Sequence, residues 1–124
     1  MSLWRSKLAA GFHHFIIEQG ATFQQVLTLK DSSGTVINLT GFTSGEMDLR
    51  ANPESDTAIV TLTTANGGIT LGGSAGTVTL LISATNTAQL TAQDGVYDLE
   101  ITSGTGVVSR LLEGSFSIRR NISR

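Results

Sequence analysis

The chain has no cysteine, one proline and few charged residues, which make up 15% of its 124 positions. Without cysteine, disulfide bonds and thiolate metal sites are excluded. The formal net charge of −2 provides no basic surface for phosphate groups, so no nucleic-acid partner is expected. No apolar run approaches the roughly 18 to 20 residues that span a bilayer, so no membrane partner is expected either.

The residues that are abundant indicate short strands joined by tight turns. Hydrophobic residues account for 40% of the chain, which argues against disorder, and fourteen glycines accompany many threonines. Glycine supplies the positive φ angles of tight turns, and threonine fits the surface of a pleated sheet. A chain of this length is typical of one hydrophobic core. We therefore predict an all-β protein.

Alternation of apolar and polar residues predicts several strands that are buried on one face. Charged and apolar residues alternate in residues 46–50 and 96–102, so Asp48, Asp98 and Glu100 are expected on the solvent side. The positions predicted to face the core are Phe23, Leu27, Leu29, Met47, Leu49, Ala51, Ala58, Val60, Leu62, Val78, Leu80, Ile82, Tyr97, Leu99, Ile101, Leu112, Phe116 and Ile118.

Turn signals separate these strands. Asn66-Gly67 predicts a type I′ hairpin between a strand at residues 58–63 and a return strand at residues 68–71. The segment 31–34 predicts a hairpin from residues 21–30 to residues 35–39. Asn86 is predicted to cap a short helical turn at residues 86–90. Together with a hairpin at residues 103–106, these signals predict seven to nine strands in a sandwich or barrel, with one short helical turn.

Side chains that could do chemistry are few. His13 and His14 are adjacent, so on a strand they point to opposite faces and cannot bind one metal ion together; one of them is expected to be packed or at an interface. The carboxylates fall mostly in turns or on solvent-facing strand positions, and no G-x-S-x-G motif is present. No catalytic residue, cofactor or metal site is predicted, and the chain is expected not to be an enzyme.

The beginning of the chain is predicted to contact other proteins. We expect residues 1–11 to form a flexible or partner-bound arm, and residues 12–124 to form a single β-sandwich domain. Trp4 and Leu8 are four residues apart, a spacing that would place both on one side of a helical turn, and we expect them to anchor the arm to a neighbouring subunit. The segment 12–17 is unusually apolar for the end of a chain. The predicted partner contacts are Trp4, Leu8, Phe12, Phe15 and Ile17.

Six short strings occur in a fixed order along residues 18 to 124. They are EQGATF at 18–23, LKDSSG at 29–34, NLTG at 38–41, MDLR at 47–50, YDLE at 97–100 and LLEG at 111–114. In this order they resemble a family of small bacteriophage structural proteins and the N-terminal immunoglobulin-like domain of phage baseplate upper proteins. The chain differs from the larger baseplate proteins because no coiled-coil or receptor-binding region follows the matching segment.

The resemblance implies an antiparallel immunoglobulin-like β-sandwich in a bacteriophage or prophage particle. The implied role is that of a virion structural protein, a tail, baseplate or fibre-attachment module that acts through protein–protein contacts and is assembled in the cytoplasm of the bacterial host. The implied partners are other virion proteins or copies of the chain itself, as a homo-oligomer. The resemblance transfers no catalytic residues.

A carbohydrate-binding or adhesion domain is the alternative. Many β-sandwiches bind sugars with their loops, and here residues 52–56 and 66–75 would form the site. Aromatic residues, which provide the stacking platforms for sugars, make up only 6% of the chain. The composition therefore favours the assembly role.

Overall fold

Eight strands in two sheets form the framework of the described chain. The computed structural model describes residues 12–31 and 33–120. The strands are β1 Phe12–Glu18, β2 Phe23–Thr28, β3 Phe42–Arg50, β4 Val60–Thr63, β5 Ile69–Leu71, β6 Thr77–Ile82, β7 Gln93–Ser103 and β8 Val108–Arg119. A 3-10 turn, Gly73–Ala75, links β5 to β6, and a one-turn helix, α1 Ala84–Thr87, lies between β6 and β7.

The strand order is that of an immunoglobulin-like sandwich. One sheet has the order β1-β8-β7-β3-β4, and the other has the order β2-β6-β5. In immunoglobulin terms, β2, β6 and β5 take the places of strands B, E and D, and β8, β7, β3 and β4 take those of G, F, C and C′. The predicted immunoglobulin-like β-sandwich of seven to nine strands is thus confirmed.

One strand pair departs from the predicted antiparallel arrangement. β1 runs parallel to β8, with Phe12 opposite Glu113 and Glu18 opposite Arg119, whereas the other strand pairs are antiparallel. The chain leaves β1 through a short turn and enters β2, which belongs to the other sheet. Because no hairpin joins β1 to its neighbour in the sheet, alternation of residues could not indicate its direction.

The two sheets share one core. Val78 and Leu80 of one sheet and Leu99 and Ile101 of the other are all 0% exposed. The predicted inward residues that are buried are Phe23, Leu29, Met47, Leu49, Leu62, Val78, Leu80, Ile82, Tyr97, Leu99, Ile101, Phe116 and Ile118. Leu27, Val60 and Leu112 are only half-buried, and Ala51 and Ala58 lie outside β3 and β4, so the alternation does not extend to them.

A β-bulge in β8 explains why the predicted inward residue Leu112 is not in the core. Leu99 pairs with Leu112, but Glu100 pairs with Arg110, so Leu111 has no opposite residue. The extra residue reverses the alternation along β8. Leu111 is therefore 0% exposed, and Leu112 is half-buried.

The predicted hairpin at Asn66-Gly67 is wrong. β4 belongs to the five-stranded sheet and β5 to the three-stranded sheet, so the turn between them carries the chain from one sheet to the other. A type I′ turn needs a positive φ at both central residues. Gly67 has a φ of 84°, whereas no residue other than glycine has a positive φ in the described chain.

Two further local predictions are corrected. The hairpin predicted from residues 21–30 to residues 35–39 is limited to one antiparallel bridge, between Lys30 and Val36, flanked by hydrogen bonds from the Asp31 N–H to the Thr35 carbonyl and from the Ile37 N–H to the Leu29 carbonyl. The helix begins earlier than predicted, because Ser83 is its N-cap and its hydroxyl accepts a hydrogen bond from the Asn86 N–H at 3.2 Å. Thr87 ends it. Among the described residues, no helix has the length and apolar content needed to cross a membrane.

Candidate interaction surfaces

The outer face of the five-stranded sheet carries a group of carboxylates. They belong to β3, β7 and β8, and they alternate with core residues, so they point away from the core. Strand pairing brings them together from distant parts of the chain. This set, called the acidic face below, contains Glu46, Asp48, Asp98, Glu100 and Glu113, with the guanidinium groups of Arg50 and Arg110 among them.

Arg110 lies between three of these carboxylates. Its Nη2 atom is 3.4 Å from Oδ2 of Asp98 and 3.5 Å from Oε2 of Glu100, and its Nη1 atom is 3.6 Å from Oε1 of Glu113. The Arg110 side chain is 50% exposed, so each ion pair contributes little to stability. Because the carboxylates outnumber the guanidinium groups, the acidic face stays negative at neutral pH.

Arg50 connects β3 to the loop that follows it. Its Nη2 atom is 3.0 Å from Oδ2 of Asp48, and its Nη1 atom donates to the Ser55 carbonyl oxygen at 2.9 Å. The other carboxylate oxygen of Asp48 accepts a hydrogen bond from the Thr61 hydroxyl at 3.1 Å. Asp48 therefore holds β4 and the loop at residues 51–55 against β3.

Neighbouring negative charges and burial shift two carboxyl groups. The pKa of Glu46 is raised, chiefly by the charge of Asp48 beside it and by a hydrogen bond to the same group. The pKa of Asp98 is also raised, mainly because partial burial disfavours its charged form; the nearby Arg110 charge opposes this rise. Glu46 and Asp98 therefore take up protons more readily than isolated carboxyl groups would.

A depression of about 450 Å³ opens in the acidic face beside Pro53 and Val96. Its walls combine the charged groups of Asp48, Arg50 and Asp98 with apolar side-chain surface. None of the described residues that line it is a serine, cysteine or histidine. The depression can therefore receive a polar or cationic side chain of another protein.

A histidine–serine contact, which the sequence pattern did not indicate, lies on the same outer face. Nδ1 of His14 is 2.6 Å from Oγ of Ser115, and Nε2 is 3.1 Å from Oγ of Ser117. In serine hydrolases a third group, usually a carboxylate, orients the second nitrogen of the histidine. Here both nitrogens contact serine hydroxyls, so the histidine attaches β1 to β8 without forming a triad.

The other histidine, His13, is also exposed, although its ring centroid lies 4.5 Å from that of Phe15. Neither histidine is therefore buried in the core. Within residues 12–31 and 33–120, no three histidine, cysteine or acidic side chains are grouped as metal ligands would be.

Tyr97 joins β7 to β1 across the intervening strand. Its hydroxyl donates to the carbonyl oxygen of His13 at 2.7 Å. The side chain reaches that far because Gly114, its partner on β8, has no side chain. A Cβ atom on Gly114 would lie 2.3 Å from the His13 oxygen and 3.1 Å from the Tyr97 hydroxyl oxygen. Burial raises the pKa of Tyr97 to about 12.

Two of the five predicted partner contacts are core residues. Phe15 and Ile17 are 2% and 0% exposed, so their side chains offer no surface to another protein. The Phe15 ring packs between Phe23 and Tyr97, at centroid distances of 5.7 Å and 5.1 Å. The apolar segment at residues 12–17 is thus part of an edge strand in which Phe15 and Ile17 complete the shared core, whereas Ile16 is exposed. Trp4, Leu8 and the Phe12 side chain lie outside the described part of the structure.

The side chain of Asn66 covers the outer edge of β4. The Thr64 N–H donates to the Gly45 carbonyl at 3.2 Å. In an antiparallel pair every second residue bonds to the neighbouring strand, so the backbone groups of Thr61 and Thr63 point away from β3. Oδ1 of Asn66 accepts from the Thr63 N–H, and Nδ2 donates to the Thr61 carbonyl, each at 3.0 Å. The amide thus occupies the place of a neighbouring strand.

The edge of β2 is more open. The Leu29 N–H donates to the Gly76 carbonyl at 2.8 Å, in continuation of the β2–β6 register. Alternate backbone groups, those of Gln24, Val26 and Thr28, therefore point away from β6, to a side where no described strand lies. β2 contains neither a charged residue nor a proline, the residues with which proteins commonly protect such edges.

The edge of β1 lies on the same side of the sandwich. The Gln19 N–H donates to the Arg119 carbonyl at 3.0 Å, so the alternation directs the backbone groups of His14, Ile16 and Glu18 away from β8. β1 and β2 border different sheets and are joined by a short turn. We call this side of the sandwich, formed by β1 and β2, the open side.

A groove of about 560 Å³ lies on the opposite side, between β4, the β4–β5 turn and α1. Its described lining is uncharged and contains no aromatic ring, and its polar side chains are those of Thr61, Asn66, Ser83, Asn86 and Gln89. Pro53, from the other loop proposed for sugar binding, lines the depression in the acidic face instead. The two loops therefore do not form one site.

Comparisons with known proteins add little to this description. No family model matches the chain, and no curated protein matches it by sequence. Solved structures with a similar fold include "Tim-1", at 13% identity and a TM-score of 0.47 over 92% of this chain and 97% of that one. Murine CRIg has 10% identity and a TM-score of 0.43, over 87% of this chain and 92% of that one.

A chain from a structure on T cell specificity and activation by the bacterial superantigen toxic shock syndrome toxin-1 is similar at 10% identity. Its TM-score is 0.45, over 87% of this chain and 92% of that one. At such identities and TM-scores these similarities support no inference about function. The strand order itself identifies the immunoglobulin-like sandwich.

Proposed function

We propose that the chain is a non-enzymatic protein–protein interaction domain that engages its partners through the open side. One observation carries this proposal: β1 and β2 direct backbone groups outward on one side, where none of the described strands lies, whereas Asn66 covers the edge of β4 on the other. β5, which forms the remaining edge, is only three residues long. Unpaired edge groups are templates for a strand of another protein.

More specifically, the domain is a structural component of a bacteriophage or prophage particle. The strings at residues 18–23, 38–41 and 97–100, which resemble phage structural proteins, support this assignment. The assigned role is that of a tail, baseplate or fibre-attachment module, assembled with other virion proteins in the bacterial cytoplasm. The acidic face supplies a second surface, suited to partners with lysine or arginine side chains.

Particle purification tests the assignment. Particles released from a culture that expresses the chain are separated on a density gradient and analysed by quantitative mass spectrometry. We expect the chain to be present in a fixed ratio to the tail proteins. If it stays entirely in the soluble fraction while complete particles form, the particle role is wrong.

A pair of variants at one position tests the role of the open side in this assembly. The Ile16 N–H points away from β8, so Ile16→Pro removes one outward donor and leaves the pairing with β8 intact. We expect Ile16→Pro to lower the amount of chain in the particles severalfold. Ile16→Ala, which keeps the N–H, is the matched control and should be incorporated normally. Equal incorporation of both variants would exclude the β1 edge as a docking edge.

A further inference from the structure

The open edge of β2 has three properties that together select its occupant. The strand is uncharged over its whole length, Phe23–Thr28. Val26, at its centre, is 59% exposed, more than any other large hydrophobic residue in the described part of the chain. On the adjacent strand β6, Leu81 is opposite Gln24 and is 39% exposed on the same outer face. The edge is therefore both unpaired among the described strands and locally apolar.

Strand geometry fixes how another strand can pair with this edge. Only Gln24, Val26 and Thr28 direct their backbone groups outward, so a partner strand must hydrogen-bond to these residues. In an antiparallel pair of two identical strands, Val26 can lie opposite Val26 of the second copy. Gln24 then lies opposite Thr28 of that copy, and each outward residue meets an outward residue. The strand is thus complementary to itself.

The β2 edge differs from the acidic face and from the edge of β4 in how well it would accept a second copy. The acidic face of one copy would repel the acidic face of another, because carboxylates predominate on both. The edge of β4 is occupied by Asn66. β2 brings no charge to a contact between copies, and pairing would cover Val26 on both.

We propose that the partner of the β2 edge is a second copy of this chain. The two β2 strands pair in the antiparallel sense around a two-fold axis at Val26, which gives a continuous sheet in the order β5-β6-β2-β2-β6-β5. The interface is the same patch on both copies, as in most two-fold dimers. This inference rests on the proposed assembly function and names its partner.

Sedimentation equilibrium of the full chain tests the dimer. We expect a mass of about twice the 13.0 kDa of one chain at high concentration. Val26→Pro removes the central outward N–H without touching a bond to β6, and we expect it to sediment as a single chain at the same concentration. Val26→Ala keeps the N–H and should remain a dimer. Circular dichroism checks that each variant is folded; if the proline variant does not fold, Val26→Lys, which places like charges at the axis, replaces it.

Hydrogen exchange of the unmodified chain separates this partner from others. The Gln24, Val26 and Thr28 amides should become at least tenfold better protected as the chain concentration rises through the dimerisation range. Strong protection at every concentration in a monomer would mean that the chain covers its own edge, and would overturn the proposal. A monomer with unprotected amides, or a Val26→Pro dimer, would also overturn it. None of these outcomes bears on incorporation into particles, so the two proposals can fail separately.

Discussion

At the scale of single residues, the hydroxyl group of Tyr97 links β7 to β1. It donates to the His13 carbonyl from a side chain that is 4% exposed. We expect Tyr97→Phe to lower the free energy of unfolding at pH 7 by about 1 kcal/mol, because one buried hydrogen bond is lost. Urea denaturation measures this change. An unchanged unfolding free energy would mean that a water molecule replaces the Tyr97 hydroxyl at the His13 carbonyl without loss of stability.

The same residue controls stability at alkaline pH. The pKa of Tyr97 is raised from 10.0 to about 12 by burial, so the neutral phenol stabilises the folded state below pH 10.0. This stability is lost as the pH rises from 10.0 to about 12. The advantage of the wild type over Tyr97→Phe should therefore shrink across this range. Since Tyr97 is the only tyrosine, phenolate absorbance follows its titration directly.

Glu46, unlike Tyr97, destabilises the folded state at neutral pH. The charge of Asp48 is the main cause of the raised pKa of Glu46. The stability that protonated Glu46 contributes to the folded state is therefore fully present below pH 4.5. It is lost as the pH rises through the pKa of Glu46 in the folded state. At pH 7 the two charged groups repel each other. We expect Glu46→Gln to raise the free energy of unfolding by a few tenths of a kcal/mol, roughly the effect of an exposed charge pair.

Thermal unfolding at two pH values measures the Glu46 effect. The melting temperature of Glu46→Gln should exceed that of the wild type at pH 7, and the difference should disappear below pH 4.5. Glu54→Gln, in the loop after β3, makes the same chemical change away from the paired carboxylates and serves as the control. An equal effect of both variants would show that overall charge, and not the Asp48 neighbour, is responsible.

At the scale of elements, the Asn66 amide determines whether β4 is available to other strands. Asn66→Ala removes the acceptor of the Thr63 and Gly68 N–H groups and the donor to the Thr61 carbonyl. We expect a loss of about 1 to 2 kcal/mol in unfolding free energy, because several exposed or half-buried hydrogen bonds disappear. We also expect new association through the β4 edge.

That association is measured by sedimentation velocity in the Val26→Pro background, where β2 cannot pair. Asn86→Ala, on α1, is the matched control, because its side-chain amide takes part in none of these bonds. A monomeric Asn66→Ala variant would show that β4 is too short, at four residues, to recruit a partner strand even when it is uncovered.

The elements also differ in how well the sequence predicted them. Alternation located the buried residues of β3, β6 and β7, because these strands have regular pairing and one solvent-exposed face. It placed Leu112 inward because the bulge at Leu111 depends on pairing with β7. Asn66-Gly67 is a strong hairpin signal, yet the turn leads into the other sheet. A turn signal specifies a reversal but not the sheet that follows.

The candidate surfaces were predictable only in part, because they depend on how the strands pair. The sequence placed Asp98 and Glu100 on the solvent side, but their meeting with Asp48 depends on the register between β7 and β3. The open edge of β2 depends on strand order, which no local pattern encodes. Phe15 was assigned to a partner because the sequence of an apolar segment does not distinguish burial in the domain's own core from burial against another protein.

At the scale of the whole molecule, the shared core should make the two sheets unfold together. Phe15 of β1 contacts Phe23 of β2 and Tyr97 of β7, so aromatic packing joins the sheets even at their open side. The three-stranded sheet would be marginal alone, because short sheets need packing against a second layer. A substitution in the core of one sheet should therefore lower the unfolding free energy of both sheets by the same amount.

Leu99→Ala tests this coupling. Leu99 lies on β7, the central strand of the five-stranded sheet, and is 0% exposed. We expect a loss of about 2 to 5 kcal/mol in unfolding free energy, from lost transfer energy and the remaining cavity. If the sheets are cooperative, the slowest-exchanging amides of β6, in the opposite sheet, lose the same free energy of protection as those of β7. Val108→Ala, at a position 51% exposed, should leave both unchanged. Loss of protection confined to β7 would mean that each sheet opens by itself.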